Sequence, residues 1–514
     1  MTEDESDPRR WAVLVVLLAG MLMGGMDLTI LNVALPTVGR ELLPSSSQLL
    51  WIMDGYALTV AATLVICSTL GDRLGRKRIL VTGLTVFGLA SLVAALSSAP
   101  GQLIAARAAQ GLGYSMMLSS TVVIIRVVFP IARERSLAYG LWVASSSTGA
   151  ALGPVLGGAL VERFFWGAVF LVNVPIAAVA LLAGGVLVPE SRNPAPRRFD
   201  GVSALISVLG LAGAVYGLQH IGQPGGVSPV TVGVGVLGAA LLVVFTLRQR
   251  RIPNPLLDMR LFTDRRFSVA TVSILLCYGA YTGLLFLLTQ QLQLVDGCSP
   301  LTAGLSLVPV AVAGAVGGVL APRLAAAVGN RWGVTAGVSL LALALLALSV
   351  FGAAGNLSAL VAAGLGAGTV MTLGADSMMS SAPPERAAEA GAVQEVGFSL
   401  GAGLGVAAMG IITMVAYGAS LKPVDGLTAA QADAVSGSLS VAMDLAAKLA
   451  GGTGEALRSS AQHAFETGFS VSTATVAAVL LVLATLTAVL LRPGGAEAAE
   501  DTPQHTPAAH ESTV

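Results

Sequence analysis

Residues 49–97 read LLWIMDGYALTVAATLVICSTL, then GDRLGRKR, then ILVTGLTVFGLASLVAALS: two continuous apolar runs separated by eight residues that carry five charges. A helix needs about 20 apolar residues to cross the hydrocarbon core, whereas a barrel strand needs about 9–11 of alternating polarity, so these runs read as membrane-crossing helices. The pattern repeats along the whole chain. Of 514 residues, 55% are apolar and 11% charged, against roughly 25% charged in soluble domains, and the mean hydropathy is +0.81. The fold class is therefore an all-α polytopic membrane protein. The 28 basic and 28 acidic residues cancel, so no nucleic-acid partner is expected; the lipid bilayer is the partner the composition requires.

Counting apolar runs between charged or Pro/Gly-rich breaks gives fourteen spans, near 12–35, 49–70, 79–97, 102–125, 137–160, 166–187, 201–221, 229–247, 268–290, 302–322, 333–352, 356–380, 391–417 and 469–491. Cytoplasmic loops retain Lys and Arg. With the N-terminus inside, 22 of the 28 basic residues fall on the cytoplasmic side and Arg107 alone lies within a span. Both termini are then expected in the cytoplasm. Trp11, Trp51, Trp166 and Trp332 fall at span ends, where amphipathic rings favour the interface. The segment 418–468 is polar enough to be solvated on the outside: Thr428 and Gln431 have capping-box spacing, and Gly451 to Gly454 mark a break between two short helices. It reads as a lid or as a plain surface hairpin. The tail at 492–514 reads as a disordered cytoplasmic extension.

Ionisable groups inside the membrane cost about 2.5–3.5 kcal/mol on insertion scales, so each needs a partner, a hydrated cavity or a function. Five call for explanation: Asp27, Asp54, Arg107, Asp376 and Glu395. At about 1.5 Å of rise per residue, Asp27, Asp54 and Arg107 come to similar depth in the outer third, and Asp376 and Glu395 belong to the inner half. Arg107 can hold one carboxylate as a packing ion pair. Two carboxylates for one Arg leave a spare acid, which is the better carrier of a proton, and Glu395 has no Lys or Arg on its own helix to pair with. Asp376 is a further inner acidic site, although it lies close enough to the loop at Pro383 and Pro384 to reach water.

The histidines, His220, His463, His505 and His510, are scattered, and Cys67, Cys277 and Cys298 lack ligand spacing, so no metal is expected. No Gly-Lys-Ser/Thr phosphate loop occurs, so the chain does not hydrolyse ATP. No cofactor and no enzymatic activity are expected.

Four motifs occur in a characteristic order: Met26-Asp27 through Asn32 to Pro36, the loop Gly71-Asp72-Arg73-Leu-Gly75-Arg76-Lys77-Arg78, Arg107-Ala-Ala-Gln110-Gly111, and Gly149-Ala-Ala-Leu-Gly153-Pro154-Val-Leu-Gly157-Gly158. With Trp51-Ile-Met-Asp54-Gly-Tyr56 and Ala392-Val-Gln394-Glu395-Val-Gly-Phe398, the chain resembles the major facilitator superfamily, in its fourteen-helix drug:proton antiporter branch. Two features depart from that pattern: Ser68 stands where the loop motif begins with Gly, and span 10 has no acidic residue. The resemblance implies a multidrug efflux antiporter driven by the proton motive force. Its partners would be protons and small amphipathic or cationic substrates, and it would work as a monomer in the plasma membrane of a bacterium. It assigns the proton relay to Asp27 and Arg107 and the substrate cation to Asp54 and Glu395; as a candidate spare acid Asp54 is also a proton-coupling candidate, and Tyr56, Tyr114, Trp142, Tyr278 and Phe398 are the aromatic residues expected to offer a bound cation their faces. It further implies a cytoplasmic loop latch at Asp72, Arg73, Gly75 and Arg76, and an antiporter hinge at Gly149, Gly153, Pro154, Gly157 and Gly158. Proton-coupled uptake of a small metabolite on the same fold is the alternative.

An internal echo supports two related halves. Leu152-Gly153 and Leu156-Gly157 match Leu400-Gly401 and Leu404-Gly405. The expected organisation is a six-helix bundle over 1–190, two inserted helices over 191–267, and a second six-helix bundle over 268–491.

Overall fold

The computed structural model describes residues 9–192, 200–221, 228–252, 255, 259–352, 356–381, 387–449 and 452–491. Residues 1–8, the tail at 492–514, and Pro383 and Pro384 lie outside them. All regular structure among the described residues is helical. The first group of helices is α1 (Arg10–Leu42), α2 (Ser46–Leu74), α3 (Arg76–Ala95), α4 (Pro100–Val128), α5 (Ala132–Arg163), α6 (Ala168–Leu171) and α7 (Asn173–Leu187). A pair comes next, α8 (Gly201–Ile221) and α9 (Pro229–Gln249). The rest are α10 (Arg265–Gln290), α11 (Pro300–Val328), α12 (Asn330–Phe351), α13 (Leu357–Ser381), α14 (Ala387–Ser420), α15 (Ala429–Ser436), α16 (Leu439–Lys448) and α17 (Gly452–Leu490).

Local sequence sets the helix starts. Ser45 caps α2 in a reciprocal box with Gln48, Asp264 caps α10, Ser299 caps α11, and Thr428 with Gln431 forms the anticipated box at α15. Among the described residues, eleven helices are long and apolar enough to cross a membrane, twelve if α2, bent by 52° after Leu64, is one span. The fourteen expected spans thus exceed what length and hydropathy alone certify. The middle of α5 is Ser145, Ser146, Ser147, Thr148 and Gly149, which lowers its hydropathy, and α8 presents a shorter apolar stretch, Gly201–Gly217. Within the polar segment 418–468, α14 runs on to Ser420 and α17 already starts at Gly452, so the stretch from Gly452 onward is helical. The two short helices are α15 and α16, and the glycine break separates α16 from α17. Trp166 is buried, edge-on to Phe170, and so serves the core where an interfacial ring was expected.

Packing repeats one scheme twice. In the first group α1 packs on α5, α2 and α3 on α4, and α3 on α7; in the second α10 packs on α14, α11 and α12 on α13, and α12 on α17. Between the groups α5 meets α11 and α14 meets α2. The α8–α9 pair leans through α8 on both α2 and α14. It is tied at one end by Arg248, which donates to both oxygens of Asp200 at 3.1 Å. Partial burial opposes ionisation of Asp200, but hydrogen bonds from Ser203 and Arg248 prevail and bring its carboxyl down to about 2.

The two ends of the molecule differ in chemistry. The basic face carries the start of α1 and the turn Arg73–Arg78; the hairpin face carries α15 and α16. On the basic face Gly75 adopts φ +109°, a conformation that side chains resist, and a methyl group there would lie 2.3 Å from Glu190 Oε1.

Candidate functional site

The core of the first group holds a polar network that lipid-facing sequence would not tolerate. Asp27, on α1, is fully buried and accepts a hydrogen bond on Oδ2 from Arg107 Nη1 of α4. Its other oxygen accepts from Gln110 Nε2 at 3.3 Å and from Asn173 Nδ2, at the start of α7, at 3.1 Å. Arg107 also donates to the Ile52 carbonyl at 3.1 Å and to Gln110 Oε1 at 3.0 Å, and Gln110 Nε2 reaches Ser91 Oγ at 2.8 Å. The guanidinium lies over the Tyr56 ring, 4.7 Å from its centroid, with Phe170 5.8 Å away. Arg107 therefore serves Asp27, which is not the spare acid. Asp54 is also buried, and faces α14: a methyl group on Gly403 would sit 3.8 Å from its Oδ1.

The second cluster lies between the two groups. Tyr56 and Tyr114 stack with centroids 5.8 Å apart, and Tyr278 meets Phe398 edge-on at 5.1 Å. Glu395, half-buried on α14, lies within electrostatic reach of Tyr56, Tyr114 and Tyr278. Its neighbour Val396 packs on the core of the first group. Three aromatic rings from α2, α4 and α10 thus lie within electrostatic reach of one carboxylate from α14. Such a set suits a cation with apolar bulk. Tyr56 joins the two clusters, since one face holds Arg107 while its buried hydroxyl has no hydrogen-bond partner.

The glycine run on α5 is a contact surface on two sides. A methyl group at Gly149 would lie 2.2 Å from the Leu22 carbonyl oxygen, and one at Gly153 2.1 Å from Thr29 Oγ1, so α1 occupies the space a side chain would need. Thr29 in turn donates to the Ala150 carbonyl at 2.9 Å. Further along, Gly158 abuts Pro300, and Gly304 of α11 abuts the Pro154 carbonyl. These contacts, with Leu50 against Gly410 of α14, join the two groups toward the hairpin face. On the basic face, Arg76 pairs with Asp72 at 2.5 Å and donates to the Ser119 carbonyl at 2.8 Å, while Arg78 faces Glu190 at 3.8 Å. All these partners belong to the first group.

Two expected site residues sit apart. Trp142 donates its indole N–H to Thr121 Oγ1 at 3.1 Å and packs with the core of the first group. Asp376 is exposed on α13, five residues before that helix ends at Ser381, and among the described residues no contact joins it to either cluster. Sequence reasoning missed Asn173, Ser91 and Phe170. A lone Asn in the apolar run 166–187 was the available signal, and Gln110 was legible only as part of a motif.

Comparison with known proteins agrees with this architecture. The multidrug efflux pump LfrA of Mycolicibacterium smegmatis is 36% identical over 482 residues, covering 93% of this chain and 95% of that protein. The methyl viologen resistance protein SmvA of Salmonella typhimurium is 36% identical over 483 residues, covering 93% and 97%. The tetracenomycin C resistance and export protein of Streptomyces glaucescens is 32% identical over 412 residues, covering 79% and 76%. A solved bacterial homologue of the human lysosomal transporter Spinster, inward-facing and unoccupied, superposes with a TM-score of 0.67 at 18% identity, covering 94% of this chain and 98% of that one, a likeness of fold. A sequence profile of the Major Facilitator Superfamily matches residues 17–406, and with relatives this similar over nearly the whole chain, the protein belongs to that superfamily of multi-pass membrane transporters.

Proposed function

We propose that this protein exports amphipathic, cationic drugs or antibiotics from a bacterial cell in exchange for protons, by alternating access across the plasma membrane. In this reading it is a monomer of fourteen spans, with α6 and α7 together making one of them. Bundles over 1–190 and 268–491 flank the inserted pair over 191–267, and both termini lie in the cytoplasm. The observation that supports it is Glu395 on α14 within electrostatic reach of Tyr56, Tyr114 and Tyr278 from three other helices, with Tyr278 edge-on to Phe398. The relatives named for multidrug efflux, methyl viologen resistance and tetracenomycin C export supply the substrate class.

The groups meet near the hairpin face through α5–α11 and α2–α14, which favours a cleft open toward the basic face. A lipophilic cation enters there, settles its charge against Glu395 and Asp54, and spreads its apolar surface over the rings. Asp27 is the proton site in this reading, in preference to the spare acid, because a proton on the acid that Arg107 serves is felt directly by a buried cation: when it is protonated, its hold on Arg107 weakens and the guanidinium is left on Ile52, Gln110 and the Tyr56 ring. Tyr56 carries that change to the substrate, because its ring meets Arg107 on one side and the Glu395 cluster on the other. The glycine contacts of α5 with α1 and α11 form the surface on which the groups rock, and the Asp72–Arg76 turn latches the basic face. A proton entering down 100 mV releases about 2.3 kcal/mol, which a monovalent cation leaving against the same potential consumes, so a one-for-one exchange draws on the pH difference, about 1.36 kcal/mol or tenfold in substrate per pH unit.

Purified protein in proteoliposomes loaded with ethidium tests the drive. Efflux should stop when an uncoupler collapses the proton gradient; efflux that continues would refute proton coupling. Accumulation of dye by expressing cells would point to uptake instead.

A further inference from the structure

The amide side chains around Asp27 are not equivalent. Gln110 is committed at both ends, since its oxygen accepts from Arg107 at 3.0 Å and its nitrogen serves both Ser91 at 2.8 Å and Asp27 at 3.3 Å. Turning it would break all three contacts. Asn173 is committed at one end. Its Nδ2 donates to Asp27 Oδ1 at 3.1 Å, while its Oδ1 is buried with no hydrogen-bond partner. The two carboxylate oxygens differ as well, because Oδ2 faces the Arg107 guanidinium and Oδ1 faces only neutral amides.

We propose that Asn173 is a positioning residue for proton exchange, a two-position amide that donates to Asp27 as a carboxylate and, turned end for end, accepts from Asp27 as an acid. The inference rests on the reading of Asp27 as the proton site. A proton arriving from the aqueous phase bonds to Asp27 Oδ1, the oxygen away from Arg107. The Nδ2–H···Oδ1 contact is then lost, the amide turns about χ2, and the new carboxyl O–H donates to Asn173 Oδ1. Each orientation satisfies one end of the amide and leaves the other bare, so the two lie close in energy and the proton decides between them. Release reverses the sequence. Asp27 thus changes charge without leaving a bare O–H beside its donors, and Arg107 keeps Ile52 and Gln110 throughout. Among the described residues, the charged or titratable groups facing Asp27 are Arg107 from α4 and Tyr56 from α2. From α5 this stretch of α1 meets the uncharged residues Ser146, Gly149, Ala150 and Gly153, and from α7 it meets Asn173 itself.

The experiment compares two ethidium fluxes in proteoliposomes: efflux driven by a pH gradient, and ethidium–ethidium exchange at equal pH, which needs no change in protonation. In Asn173→Ala the ratio of driven to exchange flux should fall about tenfold. Asn173→Ser, whose hydroxyl both donates and accepts, should recover at least half of the loss. Asn173→Asp, of the same size, places a like charge beside Asp27, which then holds its proton to higher pH, and the alkaline limb of driven efflux should move up by about one pH unit. This variant keeps the test alive if the Ala variant does not fold. An unchanged ratio in Asn173→Ala, a Ser variant no better than Ala, or an unmoved alkaline limb would each overturn the proposal. Asp27→Asn, run in parallel, separates the two claims: if it retains driven efflux the proton-site reading itself fails, and if it abolishes efflux while the Asn173 variants behave like the parent, the amide proposal alone fails.

Discussion

The contact of α1 with α5 and the contact of α10 with α14 use the same device. A methyl group at Gly149 would strike the Leu22 carbonyl at 2.2 Å, and one at Gly405 would strike the Gly279 carbonyl at 2.1 Å. Deeper in, the two groups part. Around α4 the buried set includes Arg107, Gln110, Ser115, Ser91, Asp27 and Asn173; around α13 it is Ala363, Ala367, Val370 and Leu373, with Thr369 and Ser377 bonded back to their own helix. Among the described residues, every fully buried charge, Asp27, Asp54, Arg76 and Arg107, lies in the first group. Close backbone packing is enough to build a bundle in lipid, since apolar side chains gain little from burial against one another there and small residues let helices approach. The charges of the first group are therefore surplus to folding, and that surplus is where function is sought. Glu395 lies at the seam, where Tyr56 and Tyr114 of the first group's core face Phe398, which packs on a core cluster of the second.

Removing one partner of the buried pair should give the largest effect. Arg107→Ala leaves Asp27 buried and uncompensated and should cost about 3–5 kcal/mol, read as a lower thermal midpoint in detergent. Asp27→Asn combined with Arg107→Gln should recover most of that midpoint without restoring proton-driven efflux; recovery of both would mean the pair only holds helices together. A second expectation concerns the seam. Glu395→Gln should leave the thermal midpoint in place and raise the KM for a dicationic dye about tenfold, roughly 1.4 kcal/mol of lost interaction, and an equal loss for a neutral substrate would argue against charge recognition.

The shared device is checked by overpacking both copies. Gly149→Ala and Gly405→Ala should each cost about 1–3 kcal/mol, with similar values if the two contacts are equivalent, and a large imbalance in their thermal midpoints would break the parallel between the groups. The smallest effect belongs to the α8–α9 pair, outside both. The carboxyl of Asp200 is held down at about 2, below its unfolded value, so the stabilisation is complete above the unfolded value and fades as pH falls through about 2. With Arg248 partly exposed, Asp200→Asn should cost about 1 kcal/mol or less near neutral pH, measured as the midpoint difference from the parent.

Much of the candidate site was legible before any fold. Asp27, Asp54, Arg107 and Glu395 stood out because a charge inside an apolar run is expensive, and depth counting brought the first three to one level. The pairing was not legible, since Asp54 and Asp27 lie at similar depth and only the packing of α1 against α4 hands Arg107 to Asp27. For Asp376 the sequence left both an inner acidic site and contact with water open, and its exposure on α13 agrees with the second. Trp142 looked like a substrate ring until Thr121 claimed its N–H.

Amino-acid order alone specified the helical class, the spacing of charged turns, the capped start at Thr428, and which side chains were too costly to sit in lipid unpaired. Those come from local terms: length of apolar run, hydrogen bonding within one segment, and the desolvation of a single group. It took the packed bundle to settle that Asn173 reaches Asp27 across 146 positions of chain, that Gly304 admits the Pro154 carbonyl, and that rings from three helices come within electrostatic reach of Glu395. Each of these depends on how helices rotate and cross against one another, and that geometry is fixed by many small packing contacts at once, which no single stretch of sequence contains.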